Sequence, residues 1–319
     1  MAENQEINIV FASDDNYIQH AVVAMMSIRC NTSEENKLRF FVLADNIASA
    51  NQEKAQASFA DRNAEVYFIP VDDAPFADFF VSGQLSRTAY FRLKMAELLP
   101  PEVTKAIYLD CDLLVLGDIA ELWTFNMAGQ PLAAVPDYGI MASHKDWPRK
   151  QQTLSLRPAD SYFNSGVLLV DVAAWRRCGY GQAVLDLAHQ EDYQHHDQDA
   201  LNKVFYGKWV ELPLRWNVIP PIWNMFLKIL RKKSFRQKAL AARRHIAILH
   251  YAGGYKPWEY REIPSFNAAY YRYFRETAFR DEVMPRMDKR RRGRSISRQL
   301  WRLRIADFWQ GILGNEEEK

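Results

Sequence analysis

The chain has 319 residues, of which 48% are hydrophobic and 25% are charged, and its formal net charge is +2. These values are typical of a globular protein with one large domain or two ordinary ones, and they exclude a chain that is basic throughout. No secretory signal is apparent, and no stretch reaches the ~18 uninterrupted apolar residues of a membrane-spanning helix, so we expect a cytoplasmic protein.

The three cysteines, Cys30, Cys111 and Cys178, are scattered along the chain. Their odd number and wide spacing match no metal-ligand pattern. We therefore expect reduced thiols, the usual state in the cytosol.

Strand-like and helix-like segments alternate in the first part of the chain. The predicted strands are Ile7–Ser13, Leu38–Asp45, Ala64–Val71 and the apolar run that ends at Asp110; the predicted helices are Ala21–Cys30, the polar stretch 51–63 and Arg87–Pro100. The last helix is expected to stop at the two prolines that follow Leu99. This alternation predicts an α/β fold with a mostly parallel sheet and helices on both faces.

Asp110-Cys111-Asp112 follows directly after the apolar run 106–109. Carboxylate oxygens are hard ligands for Mg²⁺ or Mn²⁺, and such ions usually bridge protein carboxylates to phosphates. Ligands of parallel sheets lie at the carboxyl ends of the strands. The motif after the fourth strand and the polar turn 14–17 after the first therefore face one ligand in this interpretation. A solvated turn is the alternative for the Asp-Cys-Asp motif taken alone.

Basic residues are concentrated near the C-terminus. They are Arg286, Lys289, Arg290, Arg291, Arg292, Arg294, Arg298, Arg302 and Arg304. Apolar residues recur at helical spacing behind them, at Trp301, Ile305, Phe308, Trp309 and Ile312. A basic amphipathic helix suits an anionic membrane surface, although a helix packed on the domain is the alternative. A second basic stretch, Leu227–His245, is either a neighbour of this segment or an ordinary exposed helix.

The Asp-Cys-Asp motif resembles the opening motif of haloacid-dehalogenase-like phosphatases. In that family the motif opens the fold on its first strand, whereas here a full α/β unit precedes it. The expected Thr or Val two residues after the second aspartate is replaced by Leu114. This interpretation is therefore the weaker one.

Several segments together resemble glycosyltransferase family 8, particularly the bacterial lipopolysaccharide galactosyl- and glucosyltransferases. In chain order they are 8–17, 88–100, 105–123, 162–177, 197–202 and 249–258. The resemblance implies a GT-A fold, a Rossmann-like nucleotide-sugar-binding architecture, with a catalytic domain over residues 1–280. Residues 281–319 would form the basic, helical, membrane-associating extension.

The resemblance also implies a metal site made by Asp110, Asp112 and His250. An imidazole beside two carboxylates suits Mn²⁺ better than Mg²⁺, because imidazole is the softer ligand. Gly253 and Gly254 permit close backbone approach to a phosphate. Lys256 would help the metal to neutralise the leaving UDP.

The remaining positions that match the donor site are Ala12, Asp14, Asn16, Arg92, Cys111, Asp137, Asn164, Asp197 and Gln198. Asp14 and Asn16 would hydrogen-bond the uracil and ribose, with a plain turn as the alternative. Arg92 would reach the pyrophosphate or sugar.

The catalytic positions implied by the resemblance are Asp197 and Gln198. Asp197 would contact sugar hydroxyls, with a helix cap as a further role. Gln198 would lie near the anomeric carbon. His195 and His196 are expected to be polar surface residues.

The sequence is thus interpreted as a retaining hexosyltransferase that uses UDP-galactose or UDP-glucose and Mn²⁺. It would extend a lipopolysaccharide or lipooligosaccharide core on the inner face of the cytoplasmic membrane, with no nucleic-acid partner. Gln198 is a poor candidate nucleophile, because an amide oxygen is weakly nucleophilic. Same-face attack assisted by the leaving phosphate is therefore preferred. The non-enzyme alternative is a membrane-surface scaffold with a non-catalytic transferase fold.

Overall fold

The structure, a computed structural model, describes residues 4–72, 74–76, 87–190, 193–223, 229, 231–254, 256–259 and 264–282. The basic C-terminal segment predicted from Arg286 onward lies outside these residues, as does nearly all of the predicted extension 281–319. Among the residues that the structure describes, no helix has the length and apolar character needed to cross a membrane.

Seven strands form the central sheet, in the order β3-β2-β1-β4-β7-β6-β8. They are β1 (Glu6–Asp14), β2 (Lys37–Asp45), β3 (Ala64–Pro70), β4 (Lys105–Leu109), β6 (Leu132–Pro136), β7 (Phe163–Asp171) and β8 (Trp209–Glu211). All except β7 share one direction, because β7 pairs antiparallel with both of its neighbours, β4 and β6. The prediction of a mostly parallel sheet flanked by helices is confirmed.

Thirteen helices are found in the described part of the chain, in addition to three short 3-10 helices at Ala74–Phe76, Arg92–Lys94 and Leu214–Trp216. They are α1 (Ile18–Asn31), α2 (Ser49–Ala57), α3 (Thr88–Phe91), α4 (Met95–Leu98), α5 (Ile119–Trp123), α6 (Tyr138–Met141), α7 (Asp146–Leu154), α8 (Val172–Cys178), α9 (Tyr180–Gln190), α10 (His196–Val204), α11 (Pro220–Trp223), α12 (Lys233–Arg244) and α13 (Pro264–Phe274). The described part of the second basic stretch is therefore mainly helix α12. It buries Ala239 and Ala242 and leaves Arg236, Lys238 and Arg244 exposed.

The single helix predicted over Arg87–Pro100 is wrong in detail, because the segment is divided into α3, a 3-10 turn and α4. The tighter turn directs the side chain of Arg92 into the interior, where only 5% of the residue is exposed. There Arg92 donates hydrogen bonds to the carbonyl oxygens of Ala89 (2.7 Å) and Ser165 (2.9 Å). The break between α3 and α4 thus coincides with the tertiary contacts of the Arg92 side chain.

The reversed direction of β7 decides which of its residues reach the ligand edge of the sheet. Because β7 is antiparallel, its first residues lie beside the carboxyl ends of β4 and β6. Asn164 and Ser165 are the second and third residues of this strand. The amide of Asp110 donates to the carbonyl oxygen of Gly166 (2.9 Å), which fixes the Asp-Cys-Asp turn against this strand.

A second, two-stranded antiparallel sheet joins β5 (Leu113–Val115) to β9 (Ile248–His250). In its register Leu113 is opposite His250. The amide of Tyr251 also donates to the carbonyl oxygen of Asp112 (2.8 Å). This pairing brings a distant histidine next to the carboxylate motif.

Arg176, on α8, ties down the loop that leads into β4. Its guanidinium donates to five backbone carbonyl oxygens, those of Ala96, Leu99, Pro100, Pro101 and Val103. Carbonyl groups at the end of a short helix lack partners within the helix, so one planar, five-donor side chain satisfies several of them.

We expect Arg176→Met to lower the free energy of unfolding by about 2–4 kcal/mol, because several carbonyls lose a charged hydrogen-bond donor. Arg177→Met, an exposed neighbour on the same helix, is the matched control and should change stability by less than about 0.5 kcal/mol. Urea unfolding of both variants measures the difference. Equal midpoints for the two variants would show that Arg176 does not anchor the loop.

Candidate active site

Asp110, Asp112 and His250 lie together at the carboxyl edge of the sheet. Each offers a ligand atom, and these atoms are all within 4.8 Å of one another. His250 Nε2 is 3.1 Å from Asp112 Oδ1 and 3.8 Å from Asp110 Oδ2. The three residues predicted as metal ligands are thus brought together by the β5–β9 pairing and the turn after β4.

The spacing of these atoms fits a hard or borderline divalent cation. Two ligands at right angles on an octahedral ion are about 3 Å apart when each bond is about 2.1 Å long. The separation of His250 Nε2 and Asp112 Oδ1 is close to that value. Carboxylate oxygens with one imidazole nitrogen suit Mn²⁺ or Mg²⁺, so these residues would hold such an ion.

The carboxylate of Asp112 also forms an ion pair with the ammonium group of Lys256. Burial by itself would raise the pKa of Asp112, but Lys256 and His250 lower it. The resulting pKa lies well below the usual range of an aspartate. Asp112 is therefore ionised at neutral pH, as a metal ligand must be.

Arg92 is the central cation of the site. Its guanidinium lies 3.0 Å from Asp110 Oδ1 and 3.3 Å from Asp197 Oδ2. It also lies over the ring of Tyr108, 4.7 Å from the ring centroid. Burial disfavours the charged form, but Asp110, Tyr108 and Asp197 outweigh it and raise the pKa of Arg92. Arg92 lines the cavity, although its guanidinium is engaged by carboxylates of the protein.

Asp197 lies in the first turn of α10 and is buried. The pKa of Asp197 is raised to about 6. Burial is the largest cause, Arg92 acts in the opposite direction, and the nearby Asp110 contributes to the rise. The suggested capping role is wrong, because the N-cap position is His195. Asp197 instead acts as an ion-pair partner of Arg92.

The side-chain amide of Gln198 is held on both sides. Its Oε1 accepts from the backbone amide of Ser165 (3.0 Å) and from Asn164 Nδ2 (3.2 Å). Its Nε2 donates to the hydroxyl of Tyr162 (3.0 Å) and to Asp137 Oδ2 (3.4 Å). An amide oxygen that already accepts hydrogen bonds is a still weaker nucleophile.

Asp137 lies behind the amides of Asn164 and Gln198 rather than on the cavity wall. Its Oδ1 caps α6 by accepting from the amide of Ile140 (3.0 Å). Its Oδ2 accepts from Asn164 Nδ2 (3.3 Å). The structure thus places this predicted donor-facing residue where it orients two other predicted site residues.

Two glycines are required by the geometry of the site. A Cβ atom on Gly166 would lie 2.6 Å from Asp110 Oδ2 and even closer to His250 Cε1, so only glycine lets these ligands approach β7. Gly253 has a φ of +86°, a conformation that strongly favours glycine.

A cavity of about 530 Å³ opens over these groups, within the size range of small-molecule sites. Its wall includes residues predicted from the sequence: Ala12, Arg92, Asp110, Cys111, Asp112, Asn164, Gln198, His250, Gly253 and Lys256. It also includes Tyr17, Tyr108, Ser165 and Glu259, which the sequence analysis missed. Tyr17 is the last residue of the polar turn 14–17 after β1, so the aromatic residue within that turn was the available signal.

The turn after β1 has its own hydrogen bonds. Asp14 Oδ1 accepts from the amides of Asn16 (3.0 Å) and Tyr17 (2.9 Å). Asp15 Oδ1 accepts from the amide of Ala48 (2.9 Å), at the start of α2. Asp14 therefore shapes the turn that presents Tyr17, whereas Asp14 and Asn16 do not themselves line the cavity.

Two further contacts lie at the cavity wall or directly behind it, where Trp258 packs against Tyr17. The thiol of Cys111 donates to the carbonyl oxygen of Ala12 (3.1 Å), and burial beside Asp110 and Asp112 raises its pKa well above the usual range. Trp258 stacks on His20 at 3.7 Å between ring centroids. Burial, followed by the charge of Lys256, lowers the pKa of His20 to about 3, so its imidazole is neutral.

A buried ionic network beneath Gln198 was also missed. Lys150 forms an ion pair with Asp199, and Asp199 Oδ1 accepts from the hydroxyl of Tyr162 (2.7 Å). The expectation of surface histidines before this motif is wrong, because His195 and His196 are both partly buried. The network holds the hydroxyl that orients Gln198.

The fold and this site define an α/β protein in which three residues that could hold a divalent cation lie beside a lysine at one sheet edge. The family model for glycosyl transferase family 8 matches residues 8–262. The chain therefore belongs to glycosyltransferase family 8. The phosphatase interpretation is wrong, since the Asp-Cys-Asp motif follows β4 in the middle of the sheet.

Individual relatives agree with this assignment. General stress protein A of Bacillus subtilis is 29% identical over 282 residues, which cover 87% of this chain and 96% of that protein. A lipopolysaccharide 1,2-glucosyltransferase of Escherichia coli is 28% identical, with 79% and 72% covered. The crystal structure of galactosyltransferase LgtC with donor and acceptor sugar analogs superimposes with a TM-score of 0.74 at 28% identity, covering 88% of this chain and 98% of LgtC. The chain is a glycosyltransferase with a GT-A fold.

The raised pKa of Asp197 predicts a pH dependence of stability. A carboxyl group whose pKa is higher in the folded state stabilises the fold below its unfolded pKa of about 4, and this contribution is lost as the pH rises through about 6. Between about pH 4 and about pH 8, wild-type protein should therefore lose about 2 kcal/mol of unfolding free energy relative to Asp197→Asn.

Urea unfolding in the presence of a chelator, at several pH values, measures this difference. Asp61→Asn, which alters an exposed carboxylate, is the control and should parallel wild type at every pH. A constant difference between wild type and Asp197→Asn would contradict the raised pKa.

Proposed function

We propose that the protein is a retaining hexosyltransferase that moves galactose or glucose from a UDP-sugar to a lipopolysaccharide or lipooligosaccharide core. The observation that carries the proposal is the convergence of Asp110, Asp112 and His250 with Lys256 at one cavity. A cation site next to a lysine is what an enzyme needs to bind a diphosphate and to stabilise it as a leaving group.

The shape of the cavity supports a nucleotide donor. The ring of Tyr17 lies on its wall, 37% of the residue is exposed, and an aromatic face can stack on a base. Gly253 and Lys256 lie on the same wall, where backbone and ammonium group can approach phosphate oxygens. The predicted contacts of Asp14 and Asn16 with uracil and ribose form part of this proposal.

In the proposed reaction the bond between the anomeric carbon and the UDP oxygen breaks, and a bond from the acceptor oxygen to the same face of that carbon forms. The acceptor proton passes to the departing diphosphate. Bound Mn²⁺, or Mg²⁺, would act as a Lewis acid on the diphosphate. Lys256 would supply positive charge to the same group. Gln198, whose amide oxygen already accepts hydrogen bonds, would orient the sugar and not attack it.

Donor and acceptor classes follow from the relatives. One matched relative is named as a lipopolysaccharide 1,2-glucosyltransferase and another as a galactosyltransferase. We propose the same type of activity for the present chain, with either glucose or galactose as the transferred sugar. The proposal includes a glycolipid acceptor at the inner face of the cytoplasmic membrane, where the basic C-terminal segment would hold the enzyme.

We expect Asp112→Asn to reduce kcat/KM for transfer by about 10²-fold or more, because it weakens the metal site and the stabilisation of the leaving UDP. Hydrolysis or transfer is measured with a panel of UDP-sugars while Mn²⁺ is varied. Asp61→Asn, which neutralises an exposed carboxylate, should leave turnover unchanged. Wild-type turnover by Asp112→Asn at limiting Mn²⁺ would refute the metal assignment, and failure of wild type to bind UDP would favour the scaffold alternative.

Removal of residues 286–319 should release the protein from phosphatidylglycerol vesicles and leave UDP-sugar hydrolysis in solution largely unchanged. Each basic residue near an anionic surface contributes about 1 kcal/mol, and salt screens this attraction. Co-sedimentation at low and high salt measures binding, with neutral phosphatidylcholine vesicles as the control. Equal sedimentation of the full-length and shortened proteins would mean that the segment does not anchor the enzyme.

A further inference from the structure

Asn217 is a buried residue that no sequence motif indicated. It directly follows the 3-10 helix Leu214–Trp216, and only 1% of it is exposed. Backbone hydrogen bonds between the next residue, Val218, and both Ile248 and His250 hold this segment beside β9. Its side-chain amide lies between His250 Nδ1 (2.9 Å) and Asn164 Oδ1 (2.7 Å).

The orientation of this amide follows from a backbone group. The amide of Gly166 donates to the side chain of Asn164 at 3.0 Å. Because a backbone N–H can only donate, the atom that it meets must be the oxygen of Asn164. The same oxygen is contacted by Asn217, so Asn217 presents its NH₂ group there. The oxygen of Asn217 must then face His250.

This orientation determines the tautomer of His250. An amide oxygen only accepts hydrogen bonds, so Nδ1 of the neutral imidazole carries the hydrogen. Nε2 then has its lone pair directed at Asp112 Oδ1, 3.1 Å away, and towards Asp110. With the opposite tautomer, two lone pairs would face each other at Asn217, and Nε2–H would be donated to Asp112.

We propose that Asn217 is a positioning residue that fixes His250 as the Nδ1–H tautomer and so keeps Nε2 available to a divalent cation. The proposal rests on the metal dependence proposed above. Partners that hold the second nitrogen of a ligand histidine typically change metal affinity by about 10–100-fold when they are removed. Asn217 would thus act on the metal through His250, with no contact to substrate.

The chain of hydrogen bonds also connects the two halves of the site. Asn164 accepts from Gly166 and Asn217 through its oxygen, and its nitrogen donates to Gln198 and Asp137. His250, a proposed metal ligand, and Gln198, at the proposed sugar position, are therefore oriented by one set of side-chain amides.

The test compares Mn²⁺ binding by the full-length wild type, Asn217→Leu and Asn217→Asp, with and without UDP, from the free-Mn²⁺ signal in electron paramagnetic resonance. Asn217→Leu should weaken binding by about 10–100-fold. Asn217→Asp keeps an acceptor for Nδ1–H but loses the donor to Asn164 Oδ1, so it should bind Mn²⁺ more tightly than Asn217→Leu and less tightly than wild type. Asn8→Leu is the matched control, since Asn8 is a buried amide whose Nδ2 donates to Lys105 O (3.3 Å), away from His250.

A second readout is the ¹⁵N spectrum of histidine-labelled protein without metal, assigned with His250→Gln and followed to a pH at which His250 is neutral. The neutral imidazole should then be protonated at Nδ1. Equal Mn²⁺ binding by wild type and Asn217→Leu would overturn the role of Asn217 and leave the proposed function standing. A neutral His250 protonated at Nε2 in place of Nδ1 would do the same. Wild type that binds no Mn²⁺ would overturn both. If Asn217→Leu does not fold, a thermal unfolding scan identifies this, and Asn217→Ala, which removes the same acceptor, takes its place. Equal Mn²⁺ binding by wild type and folded Asn217→Ala would then overturn the proposal.

Discussion

The ion pairs of Arg92 organise the ligand edge of this protein. A buried guanidinium contacts Asp110 after β4 and Asp197 in α10, and it also donates to β7 through Ser165. Leaving any one of these charges buried without a partner would be costly, so the three elements are held in one arrangement. Arg92 lies in the 3-10 turn that separates α3 from α4. The interruption of the helix therefore accompanies the burial of this one charge.

Charge balance supports the proposed cation site beside this cluster. Asp110, Asp112 and Asp197 provide three carboxyl groups, whereas Arg92 and Lys256 provide two positive charges. The charge of Asp110 raises the pKa of Asp197, after the larger effect of burial. A divalent ion bound by Asp110 and Asp112 would relieve this repulsion, so the proposed metal site and the ionisation of Asp197 are coupled electrostatically.

The reversed strand β7 supplies most of the neutral hydrogen-bonding groups of the site. Because it enters the sheet from the ligand edge, Asn164, Ser165 and Gly166 lie beside Asp110 while the rest of the strand is buried. Amides are well suited to this place, since each has a donor and an acceptor and adds no charge to an already crowded cluster. The orientations of Asn164, Asn217 and Gln198 are then mutually dependent, as expected for a buried polar network.

The sequence by itself determined the early strands and the place of the Asp-Cys-Asp motif at the end of one of them, because burial patterns are local. The segments that resemble family 8 predicted most of the cavity wall. The resemblance also predicted that His250 joins Asp112, 138 residues away, but no local pattern showed how: that contact depends on the β5–β9 pairing of the folded chain. Tertiary structure alone decided that Arg92 turns inward, that Asp197 pairs with it and caps nothing, and that Asn217 belongs to the site. Those outcomes depend on which polar groups are buried together, and a local sequence pattern does not determine the hydrogen-bond and ion-pair partners of a side chain after folding.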